Sequence, residues 1–147
     1  MRIAFYKAPG TWFDTVIRWW TRSPYSHCEL VFSNGLWFSS SPRDGGTRFK
    51  NIDADPDTWD FIEIPLSQVQ EQTVYEFCLA EDGCRYDWIG ILFTQVIPLS
   101  FYNPWWWFCS EVCVAALQQV GMLADLIPHE INPKGLYLAL TMPRQFD

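Results

Sequence analysis

Cys109 stands at the head of Phe108-Cys109-Ser110-Glu111-Val112-Cys113-Val114-Ala115-Ala116-Leu117, directly after the run Trp105-Trp106-Trp107. Val112, Cys113, Ala116, Leu117, Val120 and Leu123 recur at steps of three and four, so the spacing predicts a helix with one buried face and Cys109 in its first turn. There the thiol meets the positive end of the helix dipole and unpaired N–H groups, both of which favour the thiolate. A nucleophile so placed needs a base, and the chain has two histidines. His27 lies in Tyr25-Ser26-His27-Cys28-Glu29-Leu30-Val31-Phe32. In a strand, residues two apart share a face, so His27 and Glu29 point one way while Cys28 and Leu30 point the other. Glu29 can then orient the imidazole and stabilise its charged form, the part of the acid in a Cys-His-acid triad. The plain alternative for this pair is an ordinary polar strand face.

The remaining candidates have simpler readings. Cys113, one turn beyond Cys109, is expected to be a small core residue, and Cys28, Cys78 and Cys84 to be packing thiols. His129, between Pro128 and Glu130, is the alternative base. Cys109-x3-Cys113 with either histidine lacks the ligand spacing of a zinc site, so neither metal nor cofactor is expected. Glu111 suits the helix dipole but would oppose a thiolate, and should point away from Cys109.

These side chains require a scaffold, and the chain is long enough for one. Its 147 residues, 49% hydrophobic and 18% charged, predict a single domain over 1–147. A net charge of −7, with three lysines and seven scattered arginines, argues against nucleic acid as partner. The odd number of cysteines and the lack of a secretory signal point to reduced thiols in a cytoplasmic setting. No transmembrane segment is expected: the most apolar stretch, 88–108, is broken by Thr94, Gln95, Pro98, Ser100, Asn103 and Pro104.

In order, the pattern predicts a strand over 3–6 and a helix over 12–20 after Thr11 and Asp14. A hairpin follows, with strands at 25–32 and 36–39 joined by Ser33-Asn34-Gly35. Residues 41–50 read as a surface loop ending in a short strand over 48–52. A strand over 59–64 comes next, then a helix over 66–80 with Val69, Val74, Phe77 and Cys78 inward, and a helix over 86–97. After the Cys109 helix, which should stop near Gly121, residues 131–141 supply a turn and a short strand.

The early "SPYSHCELVF" and late "WFCSEVCVAAL" together resemble the circularly permuted branch of the NlpC-type papain-fold cysteine hydrolases, in which the histidine strand precedes the cysteine helix. "RYDWIGILF" resembles the tyrosine-containing segment upstream of the nucleophile in those families, and "PGTWFDTVIRWWTRSPYSH" the helix leading into the histidine strand. The resemblance implies an α+β permuted papain-like domain, with a small antiparallel sheet packed against a central helix that carries the cysteine at its N-terminus. It implies Cys109 as nucleophile, His27 as base and then acid, Glu29 as the orienting acid, and Tyr86 beside the thiol, assisting the oxyanion. Trp107 and Asp87 are the candidate substrate-binding residues; the alternative for the tryptophans is core packing.

The expected activity is hydrolysis of an amide through a thioacyl intermediate, with peptidoglycan peptides as the first substrate by analogy. Two alternatives stand beside it. One is a lipid acyl hydrolase or acyltransferase, since permuted relatives resembling lecithin retinol acyltransferase handle lipid esters. The other is a non-catalytic structural or interaction module, such as a phage particle component.

Overall fold

The computed structural model describes residues 1–8, 15, 18–19, 22–86 and 106–142. It is an α+β architecture. Five five-residue strands, β1 (Arg2–Tyr6), β2 (His27–Val31), β3 (Trp37–Ser41), β4 (Gly46–Lys50) and β5 (Trp59–Glu63), form an antiparallel sheet. Two short strands, β6 (Arg85–Tyr86) and β7 (Trp106–Trp107), extend it to the order β5-β1-β2-β3-β4-β6-β7, with β6 and β7 parallel. Among the described residues the continuous helices are α1 (Gln68–Ala80), α2 (Cys109–Gln118) and α3 (Pro133–Thr141), with a 3₁₀ turn at Pro128–Glu130.

The strand registers sort the side chains by face. Cys28 and Leu30 stand opposite Phe5 and Ile3, and these four enter the main core with Phe38, Val74, Cys78 and the α2 residues Val112, Cys113, Ala116 and Leu117. On the other face Ala4, Val31, Trp37 and Trp59 form a second cluster, where the indoles of Trp37 and Trp59 meet edge to face at 5.1 Å. β2 is therefore buried on both sides, and His27 and Glu29 lie in register with Tyr6 and Ala4 on the second face. The alternation expected for this strand is present.

Several expectations are corrected. The stretch 41–50 is a hairpin, with a turn over 42–45 and the strand β4 starting at Gly46. Its polar residues read as a loop because their partners are distant: Thr47 Oγ1 donates to the Glu81 carbonyl, and Arg48 is held by carboxylates. α1 begins after Ser67, which caps it by accepting the Gln70 N–H, while Gln70 Oε1 accepts the Ser67 N–H. Val69 is 76% exposed. It precedes the buried Val74 by five residues, about 140° around the helix, and so belongs to the solvent side. Residues 133–141 form a helix in place of the expected strand. Asn132 caps it by accepting the Gly135 N–H at 2.8 Å, and Pro133 at the first position fits the helical φ.

Of the helix expected over 12–20, only Thr15, Arg18 and Trp19 are described, and they are helical. In the helix expected over 86–97, Tyr86 instead ends β6, and the rest lies outside the described residues.

Gly46 joins the outer strands to the sheet. A Cβ there would lie 1.8 Å from the Cys84 carbonyl oxygen, which is backbone and cannot swing aside. Gly46→Ala should therefore force β4 from β6 and destabilise the fold by about 1–3 kcal/mol. A urea midpoint unchanged from wild type would contradict this packing.

Candidate active site

α2 begins without an intervening loop. β7 ends at Trp107, Phe108 is extended (φ −92°, ψ 156°), and Cys109 is the first helical residue. Phe108 has no side-chain acceptor, so no side-chain cap occupies the N–H groups of the first turn. Glu111 is buried and turns its carboxylate back onto the Phe108 N–H at 3.3 Å.

Cys109 meets β2 where the sheet opens. β3 pairs with β2 only at Leu30↔Phe38 and Val31↔Trp37, and past that point serine side chains replace the ladder. Ser39 Oγ donates to the Cys28 carbonyl at 2.7 Å, and Ser40 Oγ donates to the Trp107 carbonyl at 2.6 Å. The Cys28 N–H is freed from the ladder, and Cys28 and the His27 ring face the Cys109 sulfur, where both favour the thiolate. Thus the divergence of β3 lets the start of α2 reach the start of β2.

His27 Nε2 lies 3.0 Å from Glu29 Oε1. Arg48 completes the row: its two terminal nitrogens reach Glu29 Oε1 and Oε2 at 2.7 and 2.9 Å, and its Nε donates to Asp44 Oδ2 at 2.6 Å. Arg48 belongs to β4, two strands from β2. It stands in register with Ser39, whose small side chain leaves room for the guanidinium to cross β3. The bidentate fork makes Arg48 the tighter partner of Glu29, and so a positioning residue for the carboxylate that His27 faces.

The electrostatics follow from this row. Burial alone would raise the Cys109 thiol; hydrogen bonds from Cys28 and the charge on His27 outweigh it and hold the group at about 5. Burial likewise opposes the His27 cation, but the Cys109 thiolate and Glu29 push it up to about 10. Glu29 is held below the usual carboxylate range because His27 and Arg48 overcome its burial. At neutral pH the pair is thiolate and imidazolium. Burial, with hydrogen bonding to Cys109 and Cys113, drives the Cys28 thiol well above its ordinary range, so it remains a proton donor.

The structure therefore brings Cys109, His27 and Glu29 together and adds Arg48 and Cys28, which sequence reasoning missed. A usable signal existed for Arg48: a carboxylate buried beside an imidazole needs a fixed cation, and Arg43, Arg48 and Lys50 are the cations of the following hairpin. Cys28, expected to be only a packing thiol, also enters the electrostatics of Cys109. Cys113 and Cys78 are core residues, as expected. His129 sits in the 3₁₀ turn, and the imidazole set against Cys109 is that of His27. Trp107 donates its Nε1 hydrogen to Glu81 at 2.7 Å and meets Phe77 edge-on at 6.2 Å, which is the packing alternative of the two readings weighed for it. The backbone of Tyr86 pairs with Trp107 across β6 and β7. The expectations for the Tyr86 side chain and for Asp87 lie outside the described residues.

Among the described residues, no helix is long and apolar enough to cross a membrane. Compared with protein-family models, curated proteins and solved structures, the chain matches none of them. The fold and the site thus define an α+β domain with a buried thiolate–imidazolium pair.

Proposed function

We propose that this chain is a cysteine hydrolase of the circularly permuted papain-like type, acting on amide bonds through Cys109, His27 and Glu29. The observation that carries the reading is the hydrogen-bonded row His27–Glu29–Arg48 beside Cys109, whose thiol lies at a helix N-terminus. The thiolate needs no proton removed before it attacks. Its sulfur adds to the carbonyl carbon, and the oxyanion forms beside the Cys109 N–H and the positive end of α2. Tyr86 is a further donor candidate for that oxyanion. The tetrahedral intermediate expels the amine, which takes its proton from the His27 imidazolium, and leaves a thioester on Cys109. Neutral His27 then takes a proton from water, hydroxide adds to the thioester, and collapse releases the acid and restores the thiolate. Glu29, fixed by Arg48, holds the ring in line through both halves.

Peptidoglycan peptide amides are the first substrate class, by the resemblance noted for "SPYSHCELVF" and "WFCSEVCVAAL", and would go with a phage-encoded or virion-associated protein. The test incubates wild type, Cys109→Ser and His27→Ala with purified peptidoglycan and, separately, with phospholipid ester, scoring new amines and free fatty acid. Release of amines that falls about 10⁴-fold or more in both variants is the expected result. Fatty acid release with the same dependence would move the reading to the lipid ester hydrolase. Absence of turnover in both arms, with no acyl-enzyme trapped by a thiol-directed acyl probe, would leave the non-catalytic module.

A further inference from the structure

Cys28 is the one chemically capable group at the site that hydrolysis does not use. It points from β2 into the core beneath α2, with no exposed surface, in the same buried cluster as Cys109 and Cys113. All five cysteines are free thiols, and four of them, Cys28, Cys78, Cys109 and Cys113, belong to one buried cluster. Within it Cys109 faces the His27 imidazole, whose charge favours the thiolate. A thiolate with a second thiol in the same buried cluster is the arrangement of a reactive cysteine and its resolving partner.

We propose that Cys109 and Cys28 form a reversible peroxide-responsive modification site, in which Cys109 is oxidised by a hydroperoxide and Cys28 captures it as a disulfide. In the first step the Cys109 thiolate attacks the distal oxygen of the hydroperoxide, whose O–O bond breaks. Sulfur is oxidised to the sulfenic acid, and the leaving alkoxide or hydroxide takes a proton from the His27 imidazolium. In the second step the Cys28 sulfur attacks the sulfur of the sulfenic acid. The S–O bond breaks as the S–S bond forms, and the thiol proton departs with the hydroxyl as water. The hydroperoxide is the only oxidant required, and one equivalent is consumed.

Three features favour capture over further oxidation. Both sulfurs belong to one buried cluster where the start of α2 meets β2, and a disulfide requires them to close to about 2.05 Å. Cys28 has no exposed surface, so the resolving thiol is not itself open to peroxide. The opening of β3 away from β2 leaves this end of the strand without a ladder on that side, so a small shift of Cys28 breaks few backbone bonds. The disulfide would silence the nucleophile and be restored by a dithiol.

The inference rests on the Cys109 thiolate and not on hydrolysis, so it stands or falls independently of the substrate assay. The experiment treats wild type with a small excess of hydrogen peroxide at pH 7, blocks remaining thiols with iodoacetamide and maps the peptides by mass spectrometry. A Cys28–Cys109 crosslink that dithiothreitol reverses, with recovery of Cys109 labelling, is expected. In Cys28→Ser, which keeps a hydroxyl donor, peroxide should give a dimedone-reactive sulfenic acid at Cys109 that proceeds to sulfinic acid beyond rescue by dithiothreitol. Wild-type Cys109 that runs to sulfinic acid without a crosslink would overturn the proposal, as would a Cys28–Cys113 disulfide or a Cys109 inert to peroxide. If Cys28→Ser does not fold, the wild-type map decides alone.

Discussion

Alkylation of Cys109 by iodoacetamide should rise with pH about a midpoint near 5, and in His27→Ala that midpoint should move upward toward the ordinary thiol range. The shift arises because Cys28 and the charge on His27 together offset burial of the sulfur, and removing the imidazole leaves only Cys28 against burial. The midpoint, and not the rate at neutral pH, is the quantity to compare. Lowering a thiol from 9.0 to about 5 raises its thiolate fraction at pH 7 roughly 100-fold. The same change makes the thiolate intrinsically slower by about 40- to 100-fold, so the two nearly cancel. Cys28 and Cys78, both pushed up by burial, should remain unlabelled in the folded protein throughout this range. A wild-type midpoint in the ordinary thiol range would remove the ion pair on which both the hydrolase and the redox readings depend.

The same pair sets a pH window for stability. His27 is raised from 6.5 to about 10 and Cys109 lowered from 9.0 to about 5. Between pH 6.5 and 9 the folded chain carries one proton on the imidazole and the unfolded chain one on the thiol, so the pair contributes no slope. Below 6.5 the unfolded histidine gains a proton that the folded pair refuses until about pH 5, and stability falls as pH drops. Above 9 the unfolded thiol loses its proton before folded His27 does at about pH 10, and stability falls again.

Arg48→Met should destabilise the protein by about 3–5 kcal/mol, read as a lowered urea midpoint. Glu29 is 2% exposed, and removal of the guanidinium leaves its carboxylate buried with only the single contact from His27. Most of the loss is the uncompensated charge, so Arg48→Met combined with Glu29→Leu should recover much of it. Strict additivity of the two substitutions would contradict that account. The pH dependence has a defined sign as well. Glu29, held low by His27 and Arg48, contributes stability above the ordinary glutamate value of 4.5 that is lost as pH falls through its folded value. Without Arg48 that folded value rises, and acid unfolding should begin at higher pH.

The elements that carry the chemistry were legible because each obeys a local period. The three- and four-residue steps from Val112 to Leu123 fix Cys109 at a helix start, and strand alternation places His27 with Glu29 and Cys28 opposite. What joins them was not legible, since it depends on register between distant strands. Nothing in the neighbourhood of Arg48 says that it lies across β3 from Glu29, or that Ser39 and Ser40 replace ladder hydrogen bonds. The same blindness made β4 look like a loop, because its polar side chains are satisfied by partners far along the chain. The errors at Val69 and at 131–141 were of another kind. The phase relative to Val74 and the Asn132-Pro133 start signal were both present in the sequence.

The opening between β2 and β3 also bears on when the sulfur becomes reactive. His27, Glu29 and Arg48 all come from the first three strands after β1, whereas the Cys109 thiol comes from a helix made much later in synthesis. A ribosome-bound chain that has not yet delivered α2 into that opening holds the imidazole and no activated sulfur. A full-length chain that has not folded holds the thiol at its ordinary acidity. Reactivity at mildly acid pH is therefore created by the long-range closure itself, which keeps the nascent chain chemically quiet and makes Cys109 labelling a measure of the folded fraction.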